Sequence, residues 1–432
     1  MILSKNLSKK TFAIYGLGLT GISVIKFLKR SKVKKYCLWD DKQSIRKKFG
    51  IKGNKNFFSS KLDFVDFIVM SPGINIKKSK IRKTLQKNKK KIITDIDLFY
   101  MTANVSKSIV VTGTNGKSTT CKILEHVLKK NKIKAILGGN IGKPILSFNS
   151  QKKTIFIIEV SSYQLSYSKF IKPNYAMILN ITKDHQDWHE NMHNYINAKM
   201  KIFSLQDKKC IAFLDDKKLI KKFKKNKNSA ILKFVNKKKY KKIKHKIKNS
   251  HITSKANDNN LPFIFDLSKI FKIKERTLVK SLNSFKGLPH RYEIFLKNRK
   301  LKFINDSKAT SFEASKYALS SNSNILWIVG GREKKGDKFH LKNLKKNIIK
   351  SYLIGKNTNY FRKQLSGQIP YEISKTISYS LTSVFKMIKN NPDKKFTILL
   401  SPASASFDQY NNFSERGNEF KKIVRQNAKK YF

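Results

Sequence analysis

Along the chain, apolar and polar residues fall three times into one figure: a short apolar run, a glycine-bearing turn, then apolar residues at helical spacing. The first instance is Thr11-Phe-Ala-Ile-Tyr, the turn Gly16-Leu-Gly18-Leu-Thr20-Gly21, and Ile22, Ile25 and Leu28; Tyr36-Cys-Leu-Trp-Asp40 and residues 64–70 read as further strands. The second runs from Ser108-Ile-Val-Val-Thr112 through Gly113-Thr-Asn-Gly-Lys117-Ser-Thr to a helix with Ile123, Leu124, Val127 and Leu128 on one face, followed by strands at 154–159 and 175–180. The third opens near Leu288 and holds strands at 325–330 and 396–400. Apolar strands alternating with helices predict parallel sheets covered by helices. The expected fold class is therefore α/β in three domains, at 1–91, 92–287 and 288–432. The lysine-dominated stretch 217–255 is expected to be a solvated surface of the second.

Composition narrows the function classes. The 432 residues carry 94 Lys+Arg against 27 Asp+Glu, a net charge of +67. That excess invites a nucleic-acid reading, but 84 of the cations are Lys and only 10 are Arg. Base and phosphate recognition favours the arginine fork, so the charge reads as a lysine-rich coat and no nucleic-acid partner is expected. An 11% aromatic content excludes a disordered polycation. Cys37, Cys121 and Cys210 are odd in number and far apart, which fits a reducing compartment and no disulfide framework. Without an apolar run of membrane-spanning length or a secretory leader, a cytoplasmic location is expected.

The strongest chemical signal is Gly113-Thr114-Asn115-Gly116-Lys117-Ser118-Thr119 between a strand and a helix. Glycines let backbone N–H groups curl around a phosphate, the helix N-terminus adds its dipole, Lys117 reaches the β- and γ-phosphates, and Ser118 offers a hydroxyl to Mg²⁺. The first glycine stands two residues later than the general GxxxxGK[ST] pattern requires. Gly16-x-Gly18-x-x-Gly21, with Asp40 about 20 residues on, fits a dinucleotide fingerprint, or another nucleotide's diphosphate in the same geometry. Glu159 closes a strand where Mg²⁺-holding acids of nucleotide sites stand. Asp184-His185-Gln-Asp-Trp-His189 is rich in metal-type side chains without a zinc spacing. The hydroxyls of Ser401-Pro-Ala-Ser404-Ala-Ser406 follow a buried strand and suit carboxylate or amide recognition.

Taken in order, the 113–119 loop, Glu159-Val-Ser-Ser-Tyr-Gln-Leu165, Asn180-Ile-Thr-Lys-Asp-His185, Asn305-Asp-Ser-Lys-Ala-Thr310 and the run 401–420 resemble the Mur ligases of peptidoglycan synthesis, in particular the type that adds D-glutamate. The resemblance spans Gly16 to Phe420. It implies an N-terminal Rossmann-like domain for a UDP-linked substrate, a central ATPase domain of P-loop type, and a C-terminal Rossmann-like domain that brings the amino acid. It implies an ATP-dependent ligase acting on UDP-N-acetylmuramoyl-L-alanine and D-glutamate, as a monomer, with two Mg²⁺ sites.

By the same resemblance, Gly18, Leu19, Thr20, Asp40, Asp41, Ser71, Pro72 and Gly73 face the UDP part, and the dinucleotide reading gives way. Asn140, Ser161 and Gln164 line the muramoyl end. The loop 113–119, Asn257, Asn260, Arg291 and Asp306 bind ATP; Ser118 and Glu159 hold one Mg²⁺, and His185 a second. Lys199 matches a lysine that this family carbamylates, which makes it a metal ligand and, with Lys117 and His185, a catalytic residue. Lys308, Thr310, Ser406, Phe407 and Phe413 are implied for D-glutamate, with Lys334 or its neighbour Lys335 holding a carboxylate. Two departures stand out: the family's His-Asn-x-x-Asn is here Ala256-Asn257-Asp-Asn-Asn260, and Arg332-Glu333 leaves the register of the loop before Lys334 open by one residue. Another Mur-type or folylpolyglutamate-type amide ligase, a basic P-loop nucleic-acid-binding protein, and a redox enzyme using the 16–21 turn are the alternatives.

Overall fold

The computed structural model describes residues 6–102, 107–148, 153–235, 237–249, 252–253, 257–333, 336–340 and 342–428. The chain forms two compact units, Met1–Phe285 and Lys286–Phe432. The first unit holds two sheets. In the first, β1 (Phe12–Tyr15), β2 (Tyr36–Trp39), β3 (Phe67–Met70) and β4 (Ile92–Ile93) lie parallel in the order β2-β1-β3-β4. The second is also all parallel: β5 (Lys107–Thr112), β6 (Ala135–Gly139), β7 (Ile155–Glu159), β8 (Tyr175–Ile178), β9 (Ile211–Leu214) and β10 (Ile231–Phe234) stand in the order β10-β9-β8-β5-β7-β6.

Strand alternation sets the packing. On β1, Ala13 and Tyr15 pack with Trp39, Phe58 and Met70, while Phe12 and Ile14 join the opposite core with Val24 and Leu28. That second core continues through Val110, Phe156, Ile158 and Ile178 of the second sheet. The two sheets of this unit thus share one hydrophobic layer.

The structure departs from the sequence pattern in three places. Phe64, taken as the start of a strand, is 82% exposed; Leu62 and Val65 are buried instead, and Asp66 accepts from Thr11 N (2.8 Å) just before β3 begins at Phe67. Ile92 and Ile93, read as opening the second domain, pair with Ile68 and Val69 and complete the first sheet. The 217–255 stretch is more than a coat, because it supplies β10 and the helix Lys217–Lys225, which buries Leu219 and Phe223 one turn apart and turns its lysines outward. Among the described residues no helix is long and apolar enough to cross a membrane.

The second unit has one sheet, from β11 (Glu293–Lys297), β12 (Leu301–Asn305), β13 (Ile325–Gly330), β14 (Ile348–Ile354), β15 (Tyr371–Lys375) and β16 (Phe396–Leu400), in the order β11-β12-β16-β13-β14-β15. Only β11 runs antiparallel. Leu326 and Ile328 of β13 face one apolar layer, and Ile325, Trp327 and Val329 the other. The polar loops of this unit leave β12, β13 and β16 at their carboxyl ends, where ligands of open α/β sheets gather.

Candidate active site

The phosphate-type loop leaves β5, the strand flanked by β7 and β8. Gly116 caps the helix Lys117–Lys130 with φ +82°, a left-handed conformation that glycine adopts without strain. Asn180, at the end of the neighbouring strand, brackets the loop: its carbonyl accepts from Thr114 N (2.9 Å), its Oδ1 from Asn115 N (2.9 Å), and its Nδ2 donates to Asn115 O (3.0 Å). Thr114 Oγ1 lies 3.0 Å from the Tyr195 hydroxyl. Lys117 Nζ donates to the carbonyls of Gly113 (2.9 Å) and Thr114 (2.8 Å), so the ammonium rests over the loop.

A methyl on Gly116 would sit 2.1 Å from Asn260 Nδ2. Asn260 is therefore seated on the loop, and Asn257 joins it through its carbonyl, which accepts from Asn260 N (2.9 Å). Gly116→Ala should combine the left-handed strain with this clash and cost about 1–3 kcal/mol of stability. Thermal melting checks it; an unchanged midpoint would show that the loop yields easily.

Beneath the loop lies Lys199, 1% exposed on the helix Met192–Met200. Its Nζ donates to Gly113 O (2.9 Å) and Thr112 Oγ1 (3.3 Å) and sits 4.7 Å from the centre of the Tyr195 ring. Burial first, then the repulsion of Lys117, holds its pKa well below the ordinary lysine value. A neutral amine is the nucleophilic form. At the end of β7, beside β5, the Glu159 carboxylate accepts from Asn140 Nδ2 through Oε1 (3.0 Å), while its Oε2 is buried with no hydrogen-bond partner among the described residues. A buried carboxylate oxygen in that state suits a cation.

Ser161 and Gln164 form a capping box at the helix Ser162–Tyr167, and Gln164 Nε2 reaches Asp95 Oδ1 (3.4 Å). Burial pushes the Asp95 carboxyl up to about 6. Both named residues thus have local structural work. His185 has φ +51° and shares a 2.7 Å hydrogen bond between its Nδ1 and the Tyr163 hydroxyl. Asp184 accepts from His185 N (2.9 Å). Tyr163 also stacks on His189, whose pKa burial pushes down to about 4. Among the described residues no three metal-type side chains converge, so the Asp184-to-His189 run is not a self-contained metal cage.

At the carboxyl ends of β1 and β3, Gly16 and Gly21 have packing reasons: a Cβ on Gly16 would fall 2.6 Å from Ser71 Cβ, and one on Gly21 2.0 Å from Gly16 O. Around Gly18 and Gly73 a Cβ would meet nothing within 4 Å. Asp40 accepts from Leu17 N (2.8 Å) and Lys42 N (2.9 Å), so each of its oxygens serves the loop. Asp41 accepts from the Tyr15 hydroxyl (2.8 Å) and Trp39 Nε1 (3.1 Å). Leu19 is exposed beside Thr20, and Pro72 is half-buried between Ser71 and Gly73.

In the second unit, Asp306 follows β12 and accepts from Tyr292 N (3.0 Å) and Ser401 Oγ (2.8 Å). Burial dominates and raises its pKa to about 7, against the hydrogen bonds from Ser401 and Tyr292 and the attraction of Arg291. Because the folded pKa exceeds the unfolded one, the folded state keeps a proton that the unfolded state has lost. Asp306 therefore makes stability fall as pH rises from about 4 to about 7. Asp306→Asn should flatten that slope, and denaturation midpoints of both proteins across this window test it.

Lys308 Nζ lies 4.9 Å from the Phe413 ring centre, and the Lys308 amide donates to His290 O (3.0 Å). Ser406 is buried, while Thr310 and Phe407 are exposed. Lys334 and Lys335 lie outside the described residues. Sequence reasoning passed over Asn180, Tyr163, Tyr195 and Arg416; Asn180, Tyr163 and Arg416 stand inside runs it singled out, whereas Tyr195 carries no sequence signal.

Three α/β sheets, with a glycine-lysine phosphate loop and a buried strand-end glutamate on the second, define a nucleotide-using enzyme of P-loop type. Residues 111–275 match the Mur ligase middle domain and residues 10–93 the Mur ligase MurD-like N-terminal domain. The chain is 33% identical to a UDP-N-acetylmuramoylalanine--D-glutamate ligase of Wolbachia sp. subsp. Brugia malayi over 97% of both chains. A Rickettsia prowazekii protein of the same name is 31% identical over 97% of this chain and 98% of its own. The fold is shared with MurC from Thermotoga maritima (TM-score 0.56, 14% identity, 96% of this chain and 99% of that one) and with MurF from Thermotoga maritima in complex with ADP (0.56, 15%, 88% and 94%). The chain belongs to the Mur ligase family.

Proposed function

We propose that the protein is the ATP-dependent ligase that joins D-glutamate to UDP-N-acetylmuramoyl-L-alanine in the cytoplasm, acting as a monomer. The observation that carries this reading is the full-length match to relatives of that one name, with the phosphate loop in place. The UDP-linked substrate is assigned to 1–93, the expected boundary moved past β4; ATP to the region from there to 287; and the amino acid to 288–432.

A free carboxylate resists amide formation because oxide is a poor leaving group, so ATP must first convert the L-alanyl carboxylate to an acyl phosphate. The loop amides of 113–119 and the Lys117 ammonium are assigned to hold the transferring phosphoryl group and offset its charge. Asn257 and Asn260 flank the nucleotide, with Arg291 and Asp306 as further contacts. The amine of D-glutamate then attacks the acyl carbon, phosphate departs, and an amide remains. Lys308, Thr310, Ser406, Phe407, Phe413 and Lys334 or Lys335 are assigned to orient that amino acid. Gly18, Leu19, Thr20, Asp41, Ser71, Pro72 and Gly73 face the UDP moiety. The open space at Gly18 and Gly73 supports a close backbone approach there. Asp40 contributes by shaping this loop. Asn140, Ser161 and Gln164 line the muramoyl side.

Mg²⁺ fits the donors present. Glu159 with its unpartnered Oε2 and the Ser118 hydroxyl would hold one ion and His185 a second, with Lys199 in its carbamylated form as a further ligand and phosphate oxygens beside them, as this ion prefers. When bound it supplies charge neutralisation at the phosphates. Lys199 suits carbamylation because its amine is buried and biased to the neutral form.

Phosphate release is the test, with ATP, Mg²⁺, UDP-N-acetylmuramoyl-L-alanine and one of D-glutamate, L-glutamate, L-lysine or meso-diaminopimelate. Release is expected with D-glutamate alone; release with another amino acid in its place would overturn the substrate assignment.

A further inference from the structure

Arg416 is 1% exposed, on the first turns of the helix Phe413–Ala428. Among the described residues its guanidinium donates to no carboxylate. Instead Nε donates to Ser307 Oγ (3.0 Å), one terminal nitrogen to the carbonyls of Ser307 (2.7 Å) and Ser404 (2.9 Å), and the other to Ser404 Oγ (3.5 Å). Ser307 lies between Asp306 and Lys308 on the loop after β12, and its hydroxyl donates to Phe413 O (2.8 Å). Ser404 lies two residues before Ser406 on the loop after β16, and its hydroxyl donates to Gly330 O (2.5 Å) at the end of β13. A Cβ on Gly331 would fall 2.5 Å from Ser404 Oγ, 2.7 Å from Ala405 O and 3.3 Å from the guanidinium, so this glycine lets the loop after β16 close over the end of β13.

One side chain therefore ties together the loops after β12 and β16, and Ser404 carries the link on to the end of β13. Arginine suits this task because its rigid fork of donors can serve several acceptors at once. It also brings a charge. Burial lowers its pKa only to about 10, so it stays protonated at neutral pH. Asp408, the nearest acid in electrostatic terms, accepts from Lys356 N (2.9 Å) and makes no ion pair with it. A buried cation without a carboxylate partner is costly unless something else supplies negative charge.

We infer that Arg416 is a positioning residue for the amino-acid subsite, fixing the loops of Lys308 and Ser406 and holding there a buried positive charge that favours a dicarboxylate amino acid. This rests on the proposed function, with D-glutamate as the dianionic ligand. Arg416 acts through its neighbours and touches no reacting atom.

The test uses the full-length protein and steady-state phosphate release for Arg416→Lys, Arg416→Met and Ser307→Ala. For Arg416→Met, KM for D-glutamate should rise at least tenfold while KM for ATP and for UDP-N-acetylmuramoyl-L-alanine stays within twofold. Arg416→Lys, which keeps charge without the fork, should lie between this variant and the parent. Acyl phosphate formed without the amino acid, trapped as a hydroxamate, should be unchanged. If Arg416→Met does not fold, Arg416→Lys and Ser307→Ala decide, each with a severalfold rise confined to D-glutamate. A parallel rise in all three KM values, or none for D-glutamate, would overturn the inference. A parent protein that releases no phosphate with D-glutamate would instead overturn the substrate reading beneath it.

Discussion

Lys117→Ala should lower ATP-dependent phosphate release by about a thousandfold or more and leave the melting temperature nearly unchanged. The reasons lie in what the amine touches. Its partners, the carbonyls of Gly113 and Thr114, belong to a partly solvated loop, and water can replace the lost bonds. The loop keeps its shape through Asn180 and Gly116. In the reaction, by contrast, the ammonium is assigned to the charge developing on the transferring phosphoryl group. Losing a preorganised electrostatic partner of that kind costs about 2.7–4 kcal/mol of barrier, or 10²–10³ in rate, and a full cation is worth more than one neutral donor. Normal turnover by a well-folded Lys117→Ala protein would remove the ATP assignment from this loop.

Lys199→Ala is expected to reduce phosphate release by about 10²-fold or more, with partial recovery on adding a short carboxylate such as acetate or formate. A buried lysine that only packed would act through stability. This one faces the loop backbone, bonded to Gly113 O and Thr112 Oγ1 beside a second cation, and burial disfavours its charge. The neutral amine is able to take up carbon dioxide and become an anion, which reverses the electrostatic sense of the position. A small carboxylate diffusing into the space left by Lys199→Ala would restore the anion without the lysine. Dependence of the parent's activity on bicarbonate is the companion readout. Full activity of Lys199→Ala with no carboxylate added would exclude the role.

The alternation of apolar runs and glycine turns was enough to reveal three parallel-type sheets, because buried strands are apolar on both faces and stand out from a lysine-rich background. β4 was misplaced because its two residues, Ile92 and Ile93, carry no periodicity; their pairing with β3 is a tertiary fact. β10 was hidden because an outer strand is half solvated, and Ile231 and Phe234 remain exposed among lysines. At the site, glycines and Lys117 were legible because phosphate chemistry constrains spacing along the chain. Lys199 was not, since nothing in its neighbourhood distinguishes it from 83 other lysines; only the family resemblance singled it out. Asp40 has a task the sequence did not show, holding its own loop through Leu17 and Lys42. Arg416 was invisible for a related reason, because its partners, Ser307 and Ser404, are 109 and 12 residues away.

The lysine surface has a further thermodynamic consequence. With a net charge of +67, the folded chain is a polyelectrolyte that gathers small anions from the buffer. Each phosphate-bearing substrate that docks displaces some of them, so part of the driving force for binding is the entropy of released counter-anions. Affinities for ATP and the UDP-linked substrate consequently have meaning only at a stated ionic strength, and chloride is a silent reactant in every binding equilibrium of this enzyme.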